Sequence, residues 1–276
     1  MKKIGFIDYY LDEWHANNYP AFFEKAVGDE MKVCYAYGEI NSPCGMTNKE
    51  WSEKYNIPLI SDIDDLIDKS DCIIVLAPDN PETHLRLTDK ALKSGKRVYV
   101  DKTFALTRAE AEKIFENADK HSTPCYSSSA LFFSDELHCI NKNGIMRINS
   151  TGNGNVRQYA IHQAEQIVTL MGADVKRVML AGNEGNPSVL MEFKDGRFAY
   201  INHYTDADFK LDIGYDDGSL KTVEIKSDFF GNCISAMAEF FRTGKIPVEH
   251  KQTIAVISIT EGIHKAIEKP FEWINI

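Results

Sequence analysis

Between residues 3 and 126, short apolar runs alternate with stretches of helical spacing, and this alternation limits the fold more than any other feature. Cys72-Ile73-Ile74-Val75-Leu76 is the clearest run. An apolar stretch with no polar alternation belongs to a strand covered on both faces. Val98-Tyr99-Val100 reads the same way, and further extended segments are expected at 3–7, 31–37 and 124–127. Helices are expected at 19–27, 48–55, 62–67, 81–94 and 108–120. Pro81 suits a first helical turn, and Gly95 lies just past a last one. Thr107 with Glu110 three residues on is a helix-start pair. Strand, helix, strand in repetition means right-handed crossovers and a doubly wound parallel sheet.

The pattern changes after residue 126. A short strand is expected at 145–148 and a helix at 158–171. Strands without intervening helices follow at 176–180, 189–193, 198–203, 209–215 and 219–225. Asp195-Gly196 and Asp217-Gly218 are hairpin turn pairs. Helices at 229–243 and 250–269 end the chain. The reading is therefore an α/β unit over residues 1–123 and an α+β unit with a mostly antiparallel sheet over 124–276.

Composition narrows the function classes. The 276 residues are 43% hydrophobic and carry a net charge of -10. Phosphate backbones need a basic surface, so nucleic acid is not an expected partner. No apolar run is long enough to span a bilayer. Met1-Lys2-Lys3 leads directly into Ile4-Gly5-Phe6-Ile7, which is no secretion signal, so a cytoplasmic protein is expected. The six cysteines are scattered, with no paired spacing, so neither a disulfide scaffold nor a metal site is expected.

The chemistry-bearing stretch is Arg97 to Thr107, RVYVDKTFALT. Lys102 stands just past the carboxyl end of an expected parallel strand, where open α/β sheets place their ligands. A dinucleotide fold carries G-x-G-x-x-G after its first strand, so that backbone can approach a pyrophosphate at a helix start. Here Asp8, Tyr10 and Glu13 stand about where the glycines belong. Glu39, after the second strand, is the acid that could hold ribose hydroxyls, one or more positions late. Two readings follow. Either a dinucleotide is bound in an altered way by amides of a wider first loop, or the cofactor site has been lost.

With Asp101-Lys102-Thr103 and His162 both placed, the chain resembles the glucose-fructose oxidoreductase and inositol dehydrogenase (Gfo/Idh/MocA) family. That family has Glu-Lys-Pro where this chain has Asp-Lys-Thr. Ala77-Pro78-Asp79-Asn80-Pro81-Glu82-Thr83-His84 through Gly95-Lys96, Leu106-Thr107, and His162-Gln163-Ala164-Glu165 through Leu170-Met171-Gly172 are similar as well. The departures are the missing glycines, Thr103 for proline, Glu165 for aspartate, and Gln158 where an acid is often found. The resemblance implies a Rossmann-like first unit binding NAD or NADP, and a second unit for substrate and oligomer contacts.

On that resemblance, Lys102 and His162 are the catalytic candidates. Imidazole titrates near the working pH and can exchange a hydroxyl proton. Glu165, His15, Gln158 and Trp14 are candidates for substrate binding. Asp8, Tyr9, Glu39, Ala77, Pro78, Asn80, His84, Asp101 and Lys102 are candidates for the cofactor. The expected function is NAD(P)-dependent oxidation of a CH–OH group on a small sugar- or polyol-like molecule, by a homo-oligomer, dimer or tetramer. The alternatives are a family member that binds a ligand or partner without redox turnover, and a non-redox enzyme using Lys102 and His162 for proton abstraction.

Overall fold

The computed structural model describes residues 1–276. The chain divides into two compact units, Met1–Ser128 with Gly231–His250, and Ser129–Phe230 with Lys251–Ile276. The sequence reading places a single boundary at 123/124. The observed division differs in that Gly231–His250 rejoins the first unit. Arg97 Nη1 donates to the Phe241 carbonyl at 2.5 Å, and the Phe240 ring meets Tyr126 edge-on at 4.8 Å. Such contacts, more than a hundred residues apart in sequence, leave no local pattern.

The first unit is built on β1 (Lys2–Asp8), α1 (Trp14–Val27), β2 (Met31–Gly38), α2 (Asn48–Tyr55), α3 (Ile63–Lys69) and β3 (Cys72–Val75). It continues with the short turns α4 (His84–Leu87) and α5 (Asp89–Leu92), then β4 (Arg97–Val100), α6 (Arg108–Lys120) and β5 (Cys125–Tyr126). The sheet order is β2-β1-β3-β4-β5, every pair parallel. All four residues of β3 are buried, which is why the strand reads as a continuous apolar run. The order reverses between β1 and β3, and open α/β sheets bind ligands outside the strand ends at that point.

Two local expectations are corrected. Helix α1 begins at Trp14, not at residue 19. Pro20 invites a start, because proline suits a first turn, but it lies inside the helix and Glu13 is the cap. The loop after β1 is therefore only residues 9–13, and not wide. The helix expected over 81–94 is a 3-10 turn (Pro81–Thr83) followed by α4 and α5. At their junction the Thr88 hydroxyl donates back to the His84 carbonyl at 2.7 Å, a contact that bends helices.

The second unit holds α7 (Asp135–His138), β6 (Ile145–Gly152), α8 (Val156–Met171), β7 (Val175–Asn183), β8 (Asn186–Phe193), β9 (Phe198–His203), β10 (Lys210–Tyr215) and β11 (Leu220–Glu224). Helix α9 (Phe229–Thr243) leads to α10 (His250–Ile267) and the short β12 (Ile274–Asn275). Sheet order is β11-β10-β6-β9-β8-β7-β12, antiparallel except for β6 with β9. Helix α8 covers one face, where Ile148, Ser150, Ala199 and Ile201 are buried. Gln163 fastens that contact, its amide donating to the Ser150 carbonyl at 3.0 Å. No helix is long and apolar enough to cross a membrane.

Candidate active site

In the first unit, the carboxyl ends of β1 and β4 gather a buried ionisable cluster. Asp101 follows β4 and is 1% exposed. Its Oδ2 meets His15 Nδ1, and its Oδ1 accepts from the Tyr99 hydroxyl at 3.2 Å and from the Lys102 amide at 2.9 Å. Burial alone would raise the Asp101 carboxyl, but His15 by charge and hydrogen bond, then Lys102, hold it below its ordinary range. Burial alone would lower His15, and Asp101 more than reverses this, so the imidazole is shifted up. Both shifts favour the ion-paired form of the two. Tyr19 stacks on the His15 ring at 5.0 Å and fixes its plane.

Asp8 closes β1 and lies over the point where the strand order reverses. Its Oδ1 accepts from Tyr9 N at 2.7 Å and from Ala77 N, beyond β3, at 3.0 Å. One carboxylate thus bridges the two strand ends between which a ligand would enter. Ala77 takes a left-handed conformation, φ 71°, to present that amide. Burial, then the neighbouring Glu13, pushes the Asp8 carboxyl well above its usual range. Its Oδ2 is buried without a hydrogen-bond partner, as suits a group that keeps its proton.

Glu13 is a residue whose role the sequence reading missed. Its carboxylate caps α1, accepting from His15 N at 2.7 Å and from Ala16 N. It is 7% exposed, and burial pushes its pKa up to about 7 against the pull of His15 and the two amides. The signal was present: an acid directly before Trp14-His15-Ala16. Glutamate is not among the preferred cap residues, which hid it.

The remaining cofactor candidates are placed as follows. The Tyr9 carbonyl accepts from Ile40 N at 2.9 Å, which binds the first loop to the chain after β2. Glu39, at the surface, is paired with Arg86. Pro78 is half-buried in the turn after β3. Asn80 Nδ2 donates to Glu82 Oε1 at 2.9 Å. His84 is fully buried, and both its ring nitrogens meet carbonyls, those of Phe104 and Leu76. It therefore ties the end of β3 to the segment after Lys102, and burial lowers its pKa. Lys102 itself is half-buried. Trp14 is 50% exposed, with its ring edge-on to His15 at 5.2 Å.

In the second unit the other catalytic candidate, His162, lies half-buried on α8. Its Nδ1 is 2.7 Å from Ser129 Oγ, which also accepts from Leu131 N at 3.2 Å. Glu165 is buried one turn further on, and its Oε2 accepts from the Ser129 backbone amide. Serine suits a histidine that changes protonation state. The hydroxyl donates to a neutral Nδ1 and accepts from a protonated one. Ser129 is the second residue the sequence reading missed, since nothing within Ser127-Ser128-Ser129 marks one hydroxyl above the others. Gln158 is occupied locally in the α8 cap, its Oε1 accepting from Asn155 Nδ2 at 2.8 Å.

Dinucleotide folds hold a pyrophosphate on amides at the start of the first helix. In this chain His15 N and Ala16 N already serve Glu13, Leu11 N donates to Asn48 Oδ1 at 3.1 Å, and two acids line the approach. So arranged, these residues do not fit a pyrophosphate at α1.

Residues 37–128 match the model of an oxidoreductase family with an NAD-binding Rossmann fold. No curated sequence is similar enough to match. Among solved structures, a probable dehydrogenase from Thermotoga maritima is 14% identical, with 99% of this chain and 98% of that one covered and a TM-score of 0.80. A scyllo-inositol dehydrogenase from Lactobacillus casei, with bound NAD(H) and scyllo-inositol, is also 14% identical, covering 99% and 98% at 0.79. A UDP-N-acetylglucosamine 3-dehydrogenase from Acidithiobacillus ferrooxidans is 12% identical, covering 97% and 98% at 0.79. These likenesses concern the fold, while the family match takes in the strand ends carrying Ala77, His84, Asp101 and Lys102. Over residues 37–128, then, the chain is similar to the Gfo/Idh/MocA oxidoreductase family, and over its whole length it shares the fold of these dehydrogenases.

Proposed function

We propose that the chain is an NAD(P)-dependent oxidoreductase acting on a CH–OH group of a sugar- or polyol-like substrate. The observation that carries this reading is Lys102, held directly after the buried Asp101 at the carboxyl end of a parallel strand, inside the family-matched segment. Several family-fold structures named for alcohol oxidation on inositols or sugars support the substrate class.

Oxidising an alcohol requires an acceptor for hydride, which no side chain of this protein provides, and a base for the hydroxyl proton. His162 has the chemistry for the second task. The Ser129 hydroxyl, 2.7 Å from Nδ1, can follow a change in its protonation by turning from donor to acceptor. Glu165 holds the Ser129 backbone and so positions Ser129. Lys102, a cation next to an ionised carboxylate, would hold and polarise the substrate oxygen.

The test is turnover of a panel of inositols, sugars and sugar acids with NAD⁺ and NADP⁺, followed by nicotinamide absorbance. One of them should be oxidised, and Lys102→Ala and His162→Ala should each lower kcat/KM at least about 100-fold, the usual scale for a lost acid or base. Unchanged rates in both variants would remove these residues from the chemistry. A panel without turnover at any pH would remove the activity.

A further inference from the structure

We propose that the Glu13 carboxylate is a built-in anion occupying the phosphate place at the amino end of α1, so that a dinucleotide binds only by displacing it. The inference rests on the proposed NAD(P)-dependent activity and says how that activity coexists with a site that does not fit a pyrophosphate.

The geometry carries it. Helix α1 has 14 residues and no acid in its first turn. The field at its start favours an anion, and Glu13 supplies one from just outside. Its two oxygens take His15 N and Ala16 N, the kind of donors a phosphate would use. The carboxylate is buried, and a second buried acid, Asp8, closes the crevice between β1 and β3 with an unpartnered oxygen. The loop is fastened in this state. Leu11 N is held by Asn48, and Asp12 Oδ2 accepts from Met46 N at 2.7 Å. A carboxylate and a phosphate cannot share the same two amides, so one must leave.

Displacement has a proton signature. Asp8 faces Glu13 from β1, Tyr10 from the loop, His15 and Tyr19 from α1, and Asp101 from the end of β4, with Lys102 acting on His15. Below pH about 7 buried Glu13 holds a proton. Once in water it returns to the ordinary carboxylate range and releases it. Dinucleotide affinity should therefore rise as pH is raised toward 7 and level off above it. Asp8 and His15 beside it are raised as well, and the Glu13→Gln variant separates their contribution from that of Glu13.

NADH titrations, read by nicotinamide fluorescence and by calorimetry in buffers of different ionisation heat, test this on the full chain. Glu13→Gly should bind NADH more than about tenfold tighter than the natural chain, each tenfold being one decade in Kd. Glu13→Gln, equal in size and still able to cap, should lose the rise in affinity toward pH 7 and the proton release that Glu13 supplies. It keeps the test readable if Glu13→Gly does not fold. If all three proteins bind with equal affinity and the same pH profile, Glu13 is a structural cap only and the displacement is wrong, while the proposed activity stands. Proton uptake by the natural chain would overturn it too. If none binds NADH at any pH, the dinucleotide reading fails and the displacement with it.

Discussion

The ionisable cluster of the first unit makes a prediction about stability with a definite sign. Burial lifts Glu13 from 4.5 to about 7, and Asp8 rises well above its ordinary 3.8. Both groups then hold protons in the folded state that they lose when unfolded, so stability falls as pH rises through these values. His15, raised by Asp101, acts in the same sense: its contribution is complete below 6.5 and is lost as pH rises through its folded value. Asp101 works oppositely, but its contribution is lost only as pH falls below its ordinary 3.8, outside this window. The midpoint of thermal unfolding should therefore decline between about pH 5 and 8. Glu13 alone carries at most about 3 kcal/mol of that decline. Glu13→Gln should flatten the curve, and a midpoint that climbs over the same range would contradict the burial of these acids. None of this was legible beforehand. His15 and Asp101 stand 86 residues apart, and only the sheet brings them together.

At the scale of elements, one asparagine ties the first loop to the chain after β2. Asn48, at the start of α2, accepts from Leu11 N at 3.1 Å and donates to the carbonyls of Gly38 at 3.0 Å and Ile40 at 2.7 Å. It lies so close to β2 that a side chain at Gly38 would meet its amide at 2.5 Å. Asn48→Ala strips one buried and two part-buried backbone groups of their partner and should cost about 1–3 kcal/mol, read by denaturant unfolding. A loss below 0.5 kcal/mol, the range of an ordinary surface change, would show that the loop is not fastened there. The inner parallel strands β3 and β4 were readable because each is covered on both faces and so carries an apolar run. Two of the second unit's hairpins, β8–β9 and β10–β11, were readable from their Asp-Gly turns. The pairing of β6 with β9, parallel amid antiparallel neighbours, was not, because nothing within either strand records which distant strand lies beside it. The start of α1 at Trp14 is set by the Glu13 cap, and glutamate is not among the residues that mark a helix start in a sequence.

For the whole molecule, the open face of the second sheet is the feature still to be accounted for. Opposite α8, a polar ladder crosses the strands: Ser188 to Asn202 at 2.5 Å, Asn202 to Asn149 at 2.7 Å, and Thr222 to Asp212 at 2.6 Å. Tyr200 stands among them, 39% exposed, with Leu190 and Asn149 as its register neighbours. Charges of both signs stand on this face, Arg147, Lys176, Arg177 and Lys210 with Glu192, Asp212 and Glu224, in a chain whose net charge is -10. A face of mixed charge can meet its own copy about a two-fold axis. We infer that a second copy of this chain covers it. Analytical ultracentrifugation at micromolar concentration should give a dimer or a larger even assembly. Tyr200→Glu, which places an unpaired charge at the centre of the contact, should dissociate it while leaving unfolding of the protomer unchanged. A natural chain that sediments as a monomer, or a Tyr200→Glu variant that sediments as the natural chain does, would assign the ladder to the stability of a single sheet and not to assembly.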